Sequence, residues 1–189
     1  MGTFLRPRRW RKTLILVQVH LESVTSDSVD IYIKVGEKSY RQHYLHLWPN
    51  EDPTNYISTS FTRDVVSEEL KDSNMENFLV KTDEDIVGIL KLIWDKALDE
   101  YSAEKSLLVE KVYLLNEYSG KGYGAQLFDL IEVYAKKLGK TLIWLDTMQK
   151  GAQLNFYQKN GYEIKRASLL TLPGAKEEER PMWIMTKKI

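Results

Sequence analysis

Three alternate glycines, Gly120, Gly122 and Gly124, stand between a predicted strand and a predicted helix. Glycine tolerates backbone dihedrals that other residues avoid, and it lets a ligand approach the backbone closely. The first N–H groups of a helix lack intrahelical acceptors, and the helix dipole is positive there. Lys121 adds a mobile cation between the glycines. The segment therefore predicts a phosphate-binding turn, with a flexible loop and helix cap as the alternative.

The glycine turn does not match two better-known phosphate motifs. The sequence contains no G-x-x-x-x-G-K-[ST] run, and position 127 is Leu where G-x-G-x-x-G would require its last glycine. The predicted phosphate site is therefore neither a P-loop nor a dinucleotide fingerprint.

A single carboxylate, Glu110, lies inside the apolar strand predicted over 107–115. Strict alternation would place it on one face with Leu108, Val112 and Leu114. The opposite face would carry Val109, Lys111 and Tyr113. An apolar face disfavours the charged form of a carboxyl group and so raises its pKa. A pKa closer to neutral pH suits a general base. The alternatives are a carboxylate paired with a nearby cation, or one that acts only through water.

The elements that must position these residues form a mixed α/β sheet rather than a regular α/β alternation. Strands are predicted over 13–21, 78–81, 86–94, 107–115, 142–145, 162–172 and 182–187. Helices are predicted over 27–44, 61–71, 122–138 and 152–159. The helix over 122–138 is amphipathic, and its apolar face comprises Leu127, Leu130, Ile131, Tyr134, Ala135 and Leu138. The stretches 48–53 and 173–180 are predicted loops, the second a solvated acidic turn.

Composition excludes several classes of protein. Lys+Arg and Asp+Glu both total 27, so no net field attracts nucleic acid or an anionic membrane. The chain has no cysteine, which excludes disulfides and thiolate chemistry and is typical of a cytoplasmic protein. No apolar run approaches the length of a membrane helix. We expect a basic, disordered leader over 1–12 and a single domain over 13–189.

Two longer runs resemble the GNAT (Gcn5-related) N-acetyltransferase family. The stretch 112–124 is similar to its acyl-CoA-binding motif, in which a strand precedes Gln/Arg-x-x-Gly-x-Gly/Ala. The stretch 156–162, Phe-Tyr-Gln-Lys-Asn-Gly-Tyr, resembles the family signature Phe-Tyr-x-x-x-Gly-Phe. Residues 142–145 stand between them, where the family has its fifth strand. The features follow the family's order and spacing.

The resemblance implies a mostly antiparallel central sheet with a strand–helix–strand–helix core that binds acetyl-CoA. A bulge in the first of these strands, with splaying of the next, would open the sheet for the co-substrate. It implies that the backbone of Val112, Tyr113 and Leu114 pairs with the pantetheine arm. The turn residues implied to hold the pyrophosphate are Ser119, Gly120, Lys121, Gly122, Tyr123, Gly124 and Ala125.

Acetyl transfer from a thioester to an amine requires a neutral amine, donors for the oxyanion and an acid for the departing thiolate. The resemblance implies that Tyr157 is this acid and that its side chain also contacts the co-substrate. It further implies that the Leu114 amide faces the oxyanion. A phenol with a pKa near ~10 is protonated at neutral pH and can donate. The alternative is that Phe156 and Tyr157 form an aromatic pair that packs a short helix.

The expected function is transfer of an acetyl group from acetyl-CoA to a primary amine of a small molecule or peptide. Residues 110–124 and 143–145 are somewhat similar to bacterial polyamine acetyltransferases. A non-catalytic acyl-CoA-binding module is the alternative, because Ser119 replaces the family's Gln/Arg and Lys150 replaces its frequent Asn. A structural protein with a degenerate glycine loop is a third reading. Dimers are common in the family, so a homodimer is left open.

In the resembling fold, the first helices form a wall of the acceptor site. The candidates for that wall are Tyr40, His43, Trp48 and Tyr56. His43 and His46 are three residues apart, but no further ligands accompany them, so we expect no metal site.

Overall fold

A seven-stranded sheet runs through the protein, whose computed structural model describes residues 18–189. The strands are β1 His20–Ser23, β2 Met75–Lys81, β3 Ile86–Ile93, β4 Ser106–Leu114, β5 Leu142–Met148, β6 Glu163–Leu169 and β7 Pro181–Lys188. The helices are α1 Val29–Tyr44, α2 Thr54–Ser60, α3 Arg63–Glu69, α4 Tyr123–Lys137 and α5 Gln153–Lys159. The predicted leader over 1–12 lies outside the described residues.

The strand order is β1-β2-β3-β4-β5-β7-β6, and only β4 and β5 pair in parallel. This confirms the predicted mixed, mostly antiparallel sheet. The first strand begins later than predicted, at His20, and positions 13–17 lie outside the described residues. Strand β5 is longer than the predicted 142–145, because Thr147 and Met148 continue its pairing with β7.

Helices cover both faces of the sheet, and each face has its own apolar cluster. We call the face packed by α1, α2 and α3 the α1 side, and the face packed by α4 and α5 the α4 side. The cluster of the α1 side includes Tyr32, Tyr56 and Val66 with Leu79 and Ile89 of the sheet. The cluster of the α4 side includes Leu127, Phe128, Ile131 and Ala135 with strand residues such as Leu90 and Ile143. Alternate strand residues thus feed opposite clusters.

Local chemistry explains where the helices differ from their predicted bounds. Helix α2 was not predicted; it begins after Pro53, and the Asp52 carboxylate accepts a hydrogen bond from the Thr54 N–H at 3.0 Å. The helix predicted over 61–71 is shorter, since the Thr62 hydroxyl caps it by accepting from Val65 N at 3.3 Å. Within residues 18–189, no helix has both the length and the apolarity needed to cross a membrane.

Candidate active site

Strands β4 and β5 separate soon after they begin, and this separation makes the site. They pair only over Ser106–Leu108 and Leu142–Trp144, while β4 continues to Leu114 and β5 to Met148. A cavity of about 470 Å³ lies along the unpaired parts. Its lining includes Val109, Val112, Leu145 and Tyr157 from the α4-side cluster, and Tyr56, Tyr113, Met148 and Met182 from the α1-side cluster. The cavity therefore connects the two faces of the sheet.

A β-bulge in β4 turns Glu110 toward the α1 side. Lys91 of β3 pairs with Lys111, whereas the next residue, Leu92, pairs with Val109, so Glu110 is the additional residue. The predicted strict alternation is therefore wrong. Leu108 does not share the face of Val112 and Leu114, which pack with Val109 on the α4 side. Glu110 and Lys111 both face the α1 side.

Glu110 belongs to a paired network instead of an apolar face. Its Oε2 lies 2.6 Å from Lys91 Nζ, and the same ammonium lies 2.7 Å from Glu69 Oε1. Lys111 Nζ is 3.9 Å from Glu69 Oε1. The other Glu69 oxygen accepts from Asn77 Nδ2 at 2.8 Å. The apolar surroundings predicted for Glu110 are thus wrong, and the alternative of a carboxylate paired with a cation is confirmed.

The two lysines of this network respond differently to burial. Burial lowers the pKa of Lys91, but the hydrogen bonds that its ammonium donates to Glu110 and Glu69, with the attraction of their charges, outweigh burial and raise that pKa overall. Lys111 has no such close partner, and burial lowers its pKa despite the attraction of Glu69. Its Nζ lies 5.1 Å above the Phe61 ring. Lys91 is therefore held as an ammonium between two carboxylates.

The backbone of β4 presents alternate residues to the gap. The Leu115 N–H donates to the Val87 carbonyl at 2.9 Å. This hydrogen bond shows which residues of β4 direct their backbone groups toward β3. Alternation then directs the N–H and C=O groups of Val112 and Leu114 away from β3, and those of Tyr113 toward β3. His43 Nε2 donates to the Leu114 carbonyl at 2.8 Å. Val112 and Leu114 thus keep backbone groups for a strand-like ligand, whereas Tyr113 contributes its side chain to the cavity.

The glycine turn lies at the exposed end of β4 and opens α4. Gly120 and Gly122 have φ of 73° and 83°, and Gly122 is the N-cap of the helix. No side chain caps α4, so its first amides face outward. Ser119 and Lys121 are exposed, and Lys121 Nζ lies 4.9 Å from the Tyr118 ring. The predicted turn therefore has the exposed amides and unusual dihedrals that a phosphate site requires, although none of its residues lines the cavity.

The third glycine has a packing role. A Cβ on Gly124 would lie 3.1 Å from Cζ of Phe156, which is closer than an ordinary contact. Gly124 therefore lets α5 approach the first turn of α4, with Tyr123 and Ala125 on either side. The rings of Phe128, Phe156 and Tyr157 pack together beside this contact at 5.3–5.7 Å.

Tyr157 lies on α5, lines the cavity and packs against Phe128 at 5.5 Å between ring centroids. Burial, followed by the effect of Tyr44, raises the pKa of its phenol above the ordinary value. The phenol is therefore protonated throughout the neutral range and can donate a proton. Tyr157 has the aromatic contacts of its packing alternative and a position on the cavity as well.

The first helices supply an aromatic wall, with roles different from those predicted. Tyr56 lines the cavity, and its hydroxyl lies 3.1 Å from that of Tyr113. Tyr40 and Trp48 are buried behind it, where Trp48 Nε1 donates to the Tyr40 hydroxyl at 3.0 Å. His43 holds β4 through the Leu114 carbonyl. Sequence reasoning missed most of the cavity lining, including Tyr44, Glu69, Lys91 and Asp146.

Lys150 ties the predicted solvated turn to the segment that follows β5. Its Nζ donates to the Glu178 carbonyl at 2.6 Å and pairs with Glu179 at 2.8 Å. The Asn55 amide of α2 also donates to the Pro173 carbonyl at 3.1 Å. The loop over 173–180 is therefore docked on the protein instead of being only solvated. Among the described residues, no group of three or more side chains could hold a metal ion.

Residues 38–162 match the model of the family described as the acetyltransferase (GNAT) family. An uncharacterised N-acetyltransferase from the pepI 3′ region of Lactobacillus delbrueckii subsp. lactis is 23% identical over 144 residues, which cover 76% of this chain and 83% of that protein.

Solved structures are similar over nearly the whole chain. The PaiA N-acetyltransferase of Thermoplasma acidophilum, in complex with coenzyme A, has a TM-score of 0.70 at 19% identity, covering 91% of this chain and 99% of that one. The spermidine/spermine N-acetyltransferase SpeG of Vibrio cholerae has a TM-score of 0.64 at 15% identity, covering 90% and 92%. At these identities the likeness concerns the fold.

Proposed function

Because this chain belongs to the GNAT acetyltransferase family, we propose that it transfers the acetyl group of acetyl-CoA to a primary amine of a small molecule or peptide. One observation carries the proposal. The cavity between β4 and β5 is lined by both Glu110 and Tyr157, and β4 leads from it to the glycine turn before the uncapped start of α4. The complex of the similar PaiA enzyme with coenzyme A supports the choice of co-substrate.

The glycine turn would bind the pyrophosphate through backbone amides from Gly120 to Ala125. These amides and the helix dipole favour an anion, and Lys121 can turn from Tyr118 toward it. The backbone N–H and C=O of Val112 would pair with the pantetheine arm as an additional strand along β4. The Leu114 carbonyl already accepts from His43, which leaves the Leu114 N–H for the oxyanion.

The reaction would join the amine nitrogen to the acetyl carbon while the C–S bond breaks. Glu110, oriented by Lys91 at 2.6 Å, would accept the proton of the amine directly or through water. Tyr157 would give its proton to the departing sulfur. The Leu114 amide would donate to the oxyanion between these two steps. Each group thus has one role, and the two proton transfers occur at separate ends of the cavity.

Two wider expectations belong to the same proposal. The cysteine-free sequence suits a cytoplasmic location, where thiols stay reduced. A homodimer stays a prediction.

Calorimetric titration with acetyl-CoA tests the proposal, with Gly122→Ala and Gly139→Ala as a matched pair. The two glycines are at opposite ends of α4 and have φ of 83° and 71°, and a Cβ added to either would meet nothing within 4 Å beyond its chain neighbours. Each substitution imposes the same left-handed strain of roughly 1–2 kcal/mol. We expect Gly122→Ala to weaken binding at least ~10-fold, because it distorts the amides of a phosphate site, and Gly139→Ala to leave it unchanged.

If both variants bound acetyl-CoA equally weakly, the loss of affinity would come from backbone strain. The glycine turn would then have no role in binding the co-substrate. No binding by the unaltered protein would contradict the proposed use of acetyl-CoA. A screen of primary amines with the binding-competent protein then tests the transfer itself.

A further inference from the structure

The α1-side half of the cavity is lined mainly by apolar side chains. They come from the 3-10 turn after α1, from β5 and β7, and from the segment that follows β6. These side chains are Leu47, Met148, Leu170, Leu172 and Met182. The rings of Tyr44 and Tyr56 also line this half, together with the hydroxyls of Thr59 and Ser60. A ligand that enters from the α1 side therefore meets methyl, methylene and aromatic groups over most of its surface.

The charges in this half almost cancel. Glu69 and Glu110 face Lys91 and Lys111, and Lys91 lies within 2.7 Å of both carboxylates. These two acids and two bases balance in number, so neither carboxylate stands as an isolated negative charge. Asp146 is the remaining charged lining residue, and within the described part of the chain it has no ion pair, only a hydrogen bond from Ser168 Oγ at 2.9 Å. Asp146 is exposed, and Arg166, whose guanidinium pairs with Asp99, lies close enough to interact with its charge. The cavity thus offers one carboxylate that no lining cation pairs with.

We propose that the acceptor is a small primary amine with one positive charge and an apolar body. This inference rests on the proposed acetyl transfer and names its substrate class. Asp146 attracts the single ammonium, and the apolar side chains bury the rest of the molecule. A polyamine would bring a second ammonium among these apolar groups, and an unpaired charge removed from water is strongly disfavoured. The cavity therefore selects monoamines over polyamines because it has no second carboxylate to pair with a second ammonium.

Hexylamine and 1,6-diaminohexane form a matched pair of probes, since they share a chain length and differ by one terminal ammonium. With the full-length protein and acetyl-CoA, we expect kcat/KM for hexylamine to be at least ~10-fold higher. Spermidine, which carries more charges, should be poorer still. Product formation is measured by mass spectrometry, so that hydrolysis of the thioester is not counted as transfer.

Two variants each add one carboxylate, the first inside the cavity and the second on the exposed surface beside it. Leu170 lines the cavity, whereas its neighbour Leu169 is 67% exposed and does not. We expect Leu170→Glu to lower kcat/KM for hexylamine and raise it for 1,6-diaminohexane, while Leu169→Glu keeps the original preference. The wild-type comparison stands even where Leu170→Glu fails to fold.

The outcomes separate this inference from the function on which it rests. Equal or better turnover of 1,6-diaminohexane or spermidine by the wild-type protein overturns the inference and upholds amine acetylation. Turnover of none of the three amines overturns the inference, and a wider panel of amines and peptides without any product contradicts the proposed function as well.

Discussion

At the scale of single residues, the surroundings of Tyr157 decide what it can do. The ring packs among Phe128, Phe156 and Tyr162, with centroids 5.3–6.0 Å away. Such a setting disfavours the phenolate, so burial raises the pKa of Tyr157 and keeps its proton in place at neutral pH. A group held in this form suits the protonation of a leaving thiolate and does not suit the removal of a proton from an amine. The acid and base roles therefore fall on different residues.

Replacement of Tyr157 by Phe should lower kcat by about 100-fold and leave acetyl-CoA affinity nearly intact, because only the donated proton is lost. Tyr162→Phe is the control. Tyr162 is a buried tyrosine of the same aromatic group whose pKa is also raised by burial, but it does not line the cavity. Steady-state kinetics and calorimetry measure the two quantities. An unchanged kcat in Tyr157→Phe would remove the acid role, and an equal loss in Tyr162→Phe would assign the effect to packing.

The sequence identifies local site residues better than distant ones. The glycine turn and Tyr157 stand in short runs whose spacing is readable; the turn lies between β4 and α4, and Tyr157 lines the cavity. Glu69 and Lys91 meet Glu110 only because α3 and β3 pack against β4. Nothing in the local pattern of either residue indicates that contact. Their roles follow from tertiary structure alone.

At the scale of elements, the bulge in β4 is what assembles the charged network. The additional residue at Glu110 places two consecutive side chains, Glu110 and Lys111, on the α1 side. An unbroken strand would send one of them to the α4 side. A bulge cannot be read from an apolar strand pattern, which explains why alternation predicted the wrong face for Glu110. Helix α2 was missed because it is only seven residues long, Thr54–Ser60, directly after Pro53, and so short a segment carries little periodicity.

The network makes Lys91 the residue whose loss should be most costly to stability. Its side chain is 7% exposed and pairs with Glu69 and Glu110. Lys91→Met would leave two carboxylates in one partly buried site, and we expect about 3–5 kcal/mol of destabilisation at neutral pH. Denaturant unfolding at neutral pH measures the loss.

Lys165→Met is the control for that experiment. Lys165 pairs with the exposed Glu100 at 2.7 Å and lies 3.9 Å from Asp99, near the surface, where an ion pair contributes little to stability. A similar loss in both variants would mean that the Lys91 network contributes no more than a surface pair.

At the scale of the whole molecule, the sheet is one continuous layer with a single gap, and the two apolar clusters meet across it. The mixed and mostly antiparallel topology could be predicted, because the order of strands and helices along the chain restricts how they pair. The cavity could not, since its lining comes from helices and strands along most of the chain and from the segment after β6. Surface ion pairs then join parts that are far apart in sequence, such as Lys38 of α1 with Glu117 and Lys187 of β7 with Glu132 of α4.

These ion pairs predict how the molecule responds to acid. The carboxyl groups whose pKa is lowered, chiefly by side-chain hydrogen bonds, are Asp52, Asp99, Glu100, Glu117 and Glu132. For Glu117, the hydrogen bond from Lys38 lowers the pKa from 4.5 to about 2. A carboxylate with a lower pKa in the folded state contributes stability above its unfolded pKa and loses it as the pH falls through the folded value.

The midpoint of denaturant unfolding should therefore fall as the pH drops from about 4.5 toward 2, and Glu117→Gln should make that fall shallower. Glu84→Gln is the control, because Glu84 is an exposed acid in the β2–β3 turn without an ion pair among the described residues. Added salt should also flatten the wild-type curve, since these groups are exposed and screened. A curve that neither Glu117→Gln nor salt alters would mean that buried groups, and the Lys91 network first among them, govern acid unfolding.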